Sequence, residues 1–284
     1  MPVTAGDIDA VCELINDLCG ICLDASKSYL IESRLGQIVE KHGCTSYADL
    51  VQKVRRGTDA SLKNQVVDAI TTNETLFFRD SYLFEALRYK ALPELIDSKE
   101  KTAFPTRLRL WSAACSTGQE PYSLAMTLAE MIPDVNRWDI QIMGTDISDA
   151  VIAKASRGWY ATHEIERGVS PERLQRFFLA DGSGWRVRDE IRAMCSFQRQ
   201  NLLEPLGMSA RFDMVFCRNV AIYFTREVRR DLFQRIATTM SPQGYLFVGA
   251  QEFLADIGPN FAPQNHCRGT FYRPNMTNIP VYVR

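Results

Sequence analysis

Over the first seventy positions the apolar residues recur at helical spacing. Between Asp7 and Cys19 they fall at Ile8, Val11, Leu14, Ile15 and Leu18, one stripe along a helix. From Asp24 to His42 the stripe is Tyr29, Leu30, Leu35, Ile38 and Val39, and Gly43 stops it. Tyr47–Arg56 and Leu62–Ile70 repeat the pattern. Strand signals are few here, so residues 1–75 are expected to form a small helical domain. A helix over Ser81–Ile96 bridges to the second region.

The pattern changes near residue 105. Short apolar runs rich in β-formers alternate with helical stretches, which predicts an α/β fold with a parallel sheet and crossover helices. The predicted strands are Arg107–Ala113, Ile140–Thr145, Phe212–Cys217 and Gly244–Ala250. The predicted helices are Pro121–Met131, Asp149–Ala155 and Arg226–Thr239, with Pro121 suited to a first helical turn. The stretch 160–200 breaks the alternation. Its helix (Ser170–Phe178), Gly-rich turn (Asp181–Gly184) and strand-like flanks read as an inserted β subdomain within a 76–284 catalytic domain. The C-terminal Phe271–Pro274 and Val281–Arg284 are expected to close the sheet edge.

Charge narrows the function. Lys and Arg total 33 against 34 Asp and Glu, so the net charge of −1 denies the chain the electrostatic pull of a non-specific nucleic-acid binder. No apolar run approaches the ~20 residues of a membrane span. The N-terminal residues carry no secretion signal, so a cytoplasmic location without membrane insertion is expected. Eight cysteines are scattered along the chain, and only Cys19-Gly-Ile-Cys22 has ligand-like spacing. No second pair or His-x3-His completes a site, so no metal is expected and the thiols read as reduced and mostly buried.

In an open α/β sheet, ligands bind beyond the carboxyl ends of the strands. Three loops qualify. Leu110–Pro121 places small residues before a helix N-terminus, where a ligand approaches the backbone closely, but it is not a G-x-G-x-x-G dinucleotide loop. In Gly144-Thr-Asp146-Ile-Ser an acid ends the next strand, placed to hold ribose hydroxyls. Asp213–Phe224 delivers Arg218, Asn219 and Tyr223 to the same rim. Together the three suggest a nucleoside-containing cofactor without a phosphate chain. A fourth element, Thr71–Asp80, is a polar run at a domain junction, where ligand sites often lie.

The series TTNETLFFRD, LWSAACSTGQEPYS, GTDIS, NLLE and FDMVFCRNVAIYF resembles the CheR-type chemoreceptor glutamate methyltransferases over nearly the whole chain. The resemblance implies a Rossmann-like S-adenosylmethionine-dependent methyltransferase domain with an N-terminal helical domain that contacts the receptor. The implied reaction methylates glutamate side chains on the cytoplasmic helical bundle of chemoreceptors. It gives γ-glutamyl methyl esters and S-adenosylhomocysteine, and it serves sensory adaptation. By the same resemblance Asn73, Thr75, Arg79, Glu120, Asp146, Asn201, Leu202, Arg218 and Asn219 line the cofactor site. Asp146 takes the ribose hydroxyls, Asn201 and Leu202 lie along the adenine, and Arg79 and Tyr223 stand beside the transferring methyl. At Gly249-Ala250-Gln251-Glu252 the chain departs from the Gly-His-Ser-Glu frequent in the family, so no role carries over to that loop.

Arg34, Lys41, Lys53, Arg55 and Arg56 are the candidates for a basic face toward acidic receptor helices. Some family members bind a receptor pentapeptide tether through the hairpin insertion. The short turn Leu179–Trp185 points to a tether-independent enzyme here. A monomer is expected, since no long apolar face demands a dimer. Two other readings remain open: a methyltransferase with another acceptor, and a non-catalytic cofactor-sensing scaffold.

Overall fold

A computed structural model describes residues 3–23, 28–57, 59–101, 106–207, 211–255, 257–275 and 277. The N-terminal helices are α1 (Ala5–Cys19), α2 (Ser28–Lys41), α3 (Tyr47–Arg56) and α4 (Ala60–Ile70). The expected start of α2 at Asp24 lies outside the described residues. Thr4 caps α1 in a capping box with Asp7. Asp7 also accepts the Ala48 N–H at 2.9 Å, tying the start of α3 to α1. Val11, Ile15, Leu35, Val39, Leu50 and Val66 bury the apolar stripes in one shared core.

The bridging helix is not uniform. It runs as α5 (Ser81–Ala86), a wide π turn at Leu87–Ala91, and α6 (Leu92–Glu100). Pro93, at the start of α6, has no N–H to return to the preceding turn, which accounts for the irregularity.

The remaining elements are β1 (Arg107–Ala113), α7 (Gln119–Met131), β2 (Asp139–Asp146), α8 (Asp149–Arg157), β3 (Trp159–Ala161), α9 (Thr162–Glu166) and α10 (Pro171–Phe177). They continue with β4 (Phe178–Asp181), β5 (Gly184–Val187), α11 (Asp189–Arg192), β6 (Cys195–Arg199), β7 (Phe212–Cys217), α12 (Arg226–Thr239), β8 (Met240–Val248), β9 (Phe261–His266) and β10 (Gly269–Pro274). Seven strands form the main sheet in the order β6-β2-β1-β7-β8-β10-β9. The first five are parallel; β10 runs antiparallel between β8 and β9, so β9 at the edge has the direction of the first five. After β6 the chain crosses back over β1 to add β7. The topological switch point therefore lies between β1 and β7, where an open sheet builds its ligand cleft.

Four expectations need correction. First, 160–200 is not one insertion: β3, β5 and β4 make a separate antiparallel sheet, whereas Cys195–Arg199 pairs parallel with β2 as the edge of the main sheet. Second, Phe178 ends no helix but begins β4, paired with Val187. Third, β8 stops at Val248, not Ala250, because the Gly249 N–H leaves the ladder and donates to Glu252. Its start at Met240 precedes a register shift, and regular pairing resumes at Tyr245. Fourth, Phe271–Pro274 is an inner strand and β9 forms the edge; Val281–Arg284 lie outside the described residues. Among the described residues no helix is long and apolar enough to cross a membrane.

Candidate active site

At the switch point lies an open cleft of about 1370 Å³, mouth included. All ten residues named for the site border it: Asn73, Thr75, Arg79, Glu120, Asp146, Asn201, Leu202, Arg218, Asn219 and Tyr223. The far wall belongs to the helical domain, through Cys19, Ile21, Leu23, Leu30 and Arg34. Two bonds fix that wall: Cys22 N–H to the Tyr223 carbonyl (2.9 Å) and Asn201 Nδ2 to the Leu18 carbonyl (2.9 Å). Gly20 allows the approach. Its φ of 74° is left-handed, and a Cβ there would fall 2.8 Å from Leu203 Cδ2.

Asp146 ends β2 and is 7% exposed. Its oxygens accept the Ser116 N–H (2.9 Å) and the Ser148 N–H (3.1 Å), and each retains a lone pair. Burial pushes the Asp146 carboxyl above its ordinary value, against the lowering pull of these amides. Burial likewise pushes the Cys115 thiol well up, so it stays protonated. The Asn201 amide is already engaged, with Leu203 N–H on its oxygen at 3.1 Å and Leu18 on its nitrogen, while the buried Leu202 offers an apolar surface.

Arg218 follows β7, and its side chain is 2% exposed. Nη1 donates to Glu120 (2.7 Å); Nη2 donates to Asp80 (2.8 Å) and to the Arg79 carbonyl (2.7 Å). Glu120 in turn accepts from Ser112 Oγ at 2.7 Å. Arg218 therefore organises the cleft as well as bordering it. Its Nε is buried and lacks a hydrogen-bond partner among the described residues, a donor left over for an acceptor in the cleft.

Glu252, from the loop that carried no expectation, is 2% exposed. Oε2 accepts the N–H groups of Gly249 (2.6 Å) and Asn219 (2.7 Å); Oε1 accepts those of Val220 (3.0 Å), Ala221 (2.7 Å) and Ile222 (3.3 Å). One carboxylate thus holds the turn that presents Arg218, Asn219 and Tyr223. Gly249 makes room, since a Cβ there would lie 2.7 Å from Glu252 Oε2. The departure from Gly-His-Ser-Glu spares both Gly249 and Glu252, the two positions whose geometry matters here.

Left-handed backbone gathers around this cleft. Phe78, Asp80, Ala114, Ser116 and Asn219 all have φ between 50° and 58°. Such conformations cost on the order of 1–3 kcal/mol each and persist only where the surroundings impose them. Two of them flank Arg79, whose Nη1 donates to the Glu74 carbonyl at 3.1 Å. The side chains of Asn73, Thr75 and Tyr223 make no hydrogen bond among the described residues, so their polar atoms are open to a ligand.

The basic face fares differently. Arg34 caps α4 through the Ile70 carbonyl (2.6 Å), Lys41 reaches Gln65 (2.8 Å), Lys53 reaches the His42 carbonyl (3.0 Å), and Arg55 pairs with Glu13 (3.0 Å) and Asp17 (3.5 Å). Arg56 alone of the five is exposed without a hydrogen bond or ion pair among the described residues. Elsewhere no group of three His, Cys, Asp or Glu side chains is placed to hold a metal ion among those residues.

An open sheet in this strand order, with a buried acid closing its second strand beside the cleft, fits the domain of an S-adenosylmethionine-dependent methyltransferase. Comparison with known families agrees. The profile described as "CheR methyltransferase, SAM binding domain" matches residues 73–266, and "CheR methyltransferase, all-alpha domain" matches residues 6–71. The chain belongs to the CheR methyltransferase family. It is 44% identical to "Chemotaxis protein methyltransferase 1" of Pseudomonas aeruginosa over 96% of this chain and 99% of that one. It is 42% identical to "Chemotaxis protein methyltransferase Cher2" of Pseudomonas putida, over 90% of this chain and 93% of the relative. "Chemotaxis protein methyltransferase" of Salmonella typhimurium is 33% identical, over 89% and 85%. The chain is thus a chemotaxis-type methyltransferase whose cofactor is S-adenosylmethionine.

Proposed function

We propose that the protein is a glutamate O-methyltransferase acting on the cytoplasmic helical bundle of chemoreceptors, in the cytoplasm and as a monomer. The observation that supports this best is the convergence of all ten expected residues on one cleft in a chain of the chemotaxis methyltransferase family. The residues present suit the cofactor. Asp146 offers lone pairs for ribose hydroxyls, Leu202 an apolar surface for adenine, and Arg218 Nε an unused donor for a carboxylate.

S-adenosylmethionine supplies a methyl group on a sulfonium, open to in-line displacement. A glutamate has an ordinary pKa near 4.3, so at neutral pH it is already an anionic nucleophile and needs no base. Both charges fall as anion meets cation. Strong pairing of the carboxylate with Arg79 would therefore favour the ground state over the transition state. Arg79 and Tyr223 act by orienting the carboxylate oxygen toward the methyl. Tyr223→Phe should lower turnover about tenfold and leave S-adenosylhomocysteine affinity within about twofold, read by single-turnover kinetics and calorimetry. An equal loss of affinity would make Tyr223 a structural residue.

Cofactor affinity should follow the protonation of Asp146. Its folded pKa is raised, so as pH falls it takes up a proton in a window that opens above the ordinary carboxylate value. Protonation converts one acceptor oxygen into a donor, and affinity should decline through that window. Asp146→Asn should flatten the profile at low affinity, measured by calorimetry over pH. A wild-type profile with no decline would remove Asp146 from ribose binding.

The reaction itself is tested with labelled S-adenosylmethionine and receptor-containing membranes, followed by alkaline hydrolysis. Volatile labelled methanol is the expected product. Tight cofactor binding without any base-labile methyl would favour another acceptor or a scaffold. In the small sheet β4 and β5 are joined by a two-residue turn, which supports a tether-independent enzyme; measurable binding of the receptor pentapeptide would reverse that reading.

A further inference from the structure

The segment that carries Asn73, Thr75 and Arg79 rests along the three-stranded unit, residues 159–187, outside the cofactor cleft. Asn73, Glu74 and Thr75 border the cleft on one side and, on the other, a polar hollow lined by His163, Glu164 and Arg167. Arg167 pairs with Glu74 at 2.9 Å. The Phe77 ring meets Tyr160 and Phe178 edge-on, with centroids 5.0 and 5.7 Å apart. Gly168 packs so closely that a Cβ would lie 2.0 Å from the Phe77 carbonyl oxygen. No other residue type fits there without moving the backbone two positions before Arg79.

The most specific contact is made by Arg173. Its guanidinium lies 3.7 Å over the Phe78 ring. Nε and Nη2 grip Glu130 in a two-point pair at 2.8 and 3.1 Å, and Arg88 completes the cluster from the other side. Glu130 is 13% exposed, so the guanidinium is anchored rather than swinging in solvent. Phe78 needs such support. At φ 53° it sits where a bulky side chain is disfavoured, held by Arg173 above the ring and by its own N–H to the buried Ser123 Oγ at 3.0 Å. Were Phe78 to relax to extended backbone, the chain direction would change one residue before Arg79.

We propose that Arg173 is a positioning residue for Arg79, acting through the Phe78 ring, so that the three-stranded unit is a working part of the methyl-transfer site. This rests on the reading of Arg79 given above. Simple stabilisation predicts something different: a lower melting temperature with the turnover of the folded protein intact.

The test uses the full chain with wild type, Arg173→Ala, Arg173→Lys, Phe78→Leu, Arg79→Lys and the Arg79→Lys/Arg173→Ala double variant. Transfer to receptor-containing membranes, S-adenosylhomocysteine calorimetry and melting temperature are read together. Arg173→Ala should lower kcat about tenfold and leave the acceptor KM within about twofold, the mark of misalignment rather than lost binding. Arg173→Lys keeps a charge for Glu130 but not the planar stack, and should lose as much. In the Arg79→Lys background, Arg173→Ala should cost little more, because both act through one group. Should Arg173→Ala fail to fold, Phe78→Leu, which leaves the Glu130 pair intact, must show the same kcat loss. Losses that multiply, full rescue by lysine, or a changed melting temperature with unchanged kcat would each overturn the proposal. A wild type that forms no base-labile methyl would instead overturn the parent reading, and this inference with it.

Discussion

Glu252→Ala should lower the melting temperature by about 10 °C and reduce methyl transfer beyond what unfolding explains. Five backbone N–H groups converge on that buried carboxylate. Alanine leaves them without an acceptor, and each unsatisfied buried donor costs about 1–3 kcal/mol, reduced where water enters. At the low end the five sum to about 5 kcal/mol, water entry brings this to about 3 kcal/mol or more, and for a chain of this size each kcal/mol is worth roughly 2–4 °C. Glu252→Gln separates stability from function. It keeps one acceptor oxygen but turns an NH2 group toward the amides of Gly249 and Asn219, or those of Val220 to Ile222. It should fold, melt a few degrees lower, and transfer methyl about tenfold more slowly because the turn bearing Tyr223 is displaced. A Gln variant with wild-type turnover would reduce Glu252 to a distant fold element.

Replacing Arg218 should be as damaging, for an electrostatic reason. Its buried guanidinium joins Asp80, Glu120 and the Arg79 carbonyl. Removing one partner of a buried ion pair costs about 3–5 kcal/mol, because the remaining charge has neither partner nor water. Arg218→Met should therefore lose measurable S-adenosylhomocysteine affinity and much of its thermal stability. Arg218→Lys should recover little, since an ammonium lacks the fork that spans three acceptors. Adding Glu120→Gln to Arg218→Met should return part of the stability and none of the affinity. Calorimetry and thermal melts on the three variants check this. Recovery of affinity in the double variant would show that Glu120 is a burden and Arg218 only its counter-charge.

Much of the fold was legible in the chain because its strongest signals are periodic and local. Tyr47–Arg56, Arg107–Ala113, Phe212–Cys217 and Arg226–Thr239 occur with the predicted bounds. The misses share a cause. Cys195–Arg199 and Phe261–His266 are edge strands with mixed polar and apolar positions, and only their pairing partners make them strands. Pro242 and Gln243 precede the expected strand start at Gly244 yet form the irregular beginning of β8, because a proline and a polar residue carry no strand signal of their own.

The site divides along similar lines. Residues expected to face a ligand come in contiguous motifs, and all of them reached one cleft. Of the residues that hold them in place, Asp80, Ser116 and Glu252 act on partners far along the chain and Ser112 acts through Glu120, so no local pattern marks their role. Position 252 carried one available clue. When a loop departs from a family pattern at two positions and retains two, the retained pair is where the constraint lies. The basic face was legible only as a list of charges, because charge counted along a helix says nothing of the acids that neighbouring helices bring to it, as Glu13 and Asp17 do for Arg55.

The strand order also dictates a schedule for the chain as it is made. The helical domain is built from contacts within the first seventy residues, so its core can close soon after that length leaves the ribosome. The sheet has no such freedom. β1 lies beside β7, Leu110 opposite Met214, so the centre of the sheet stays open until nearly three-quarters of the chain has been synthesised. The cofactor cleft joins the earliest unit to a strand pair that forms late. It is a late feature of the protein: no nascent fragment short of Tyr223 possesses its lining, and Glu252, which holds the turn before Tyr223, follows later still.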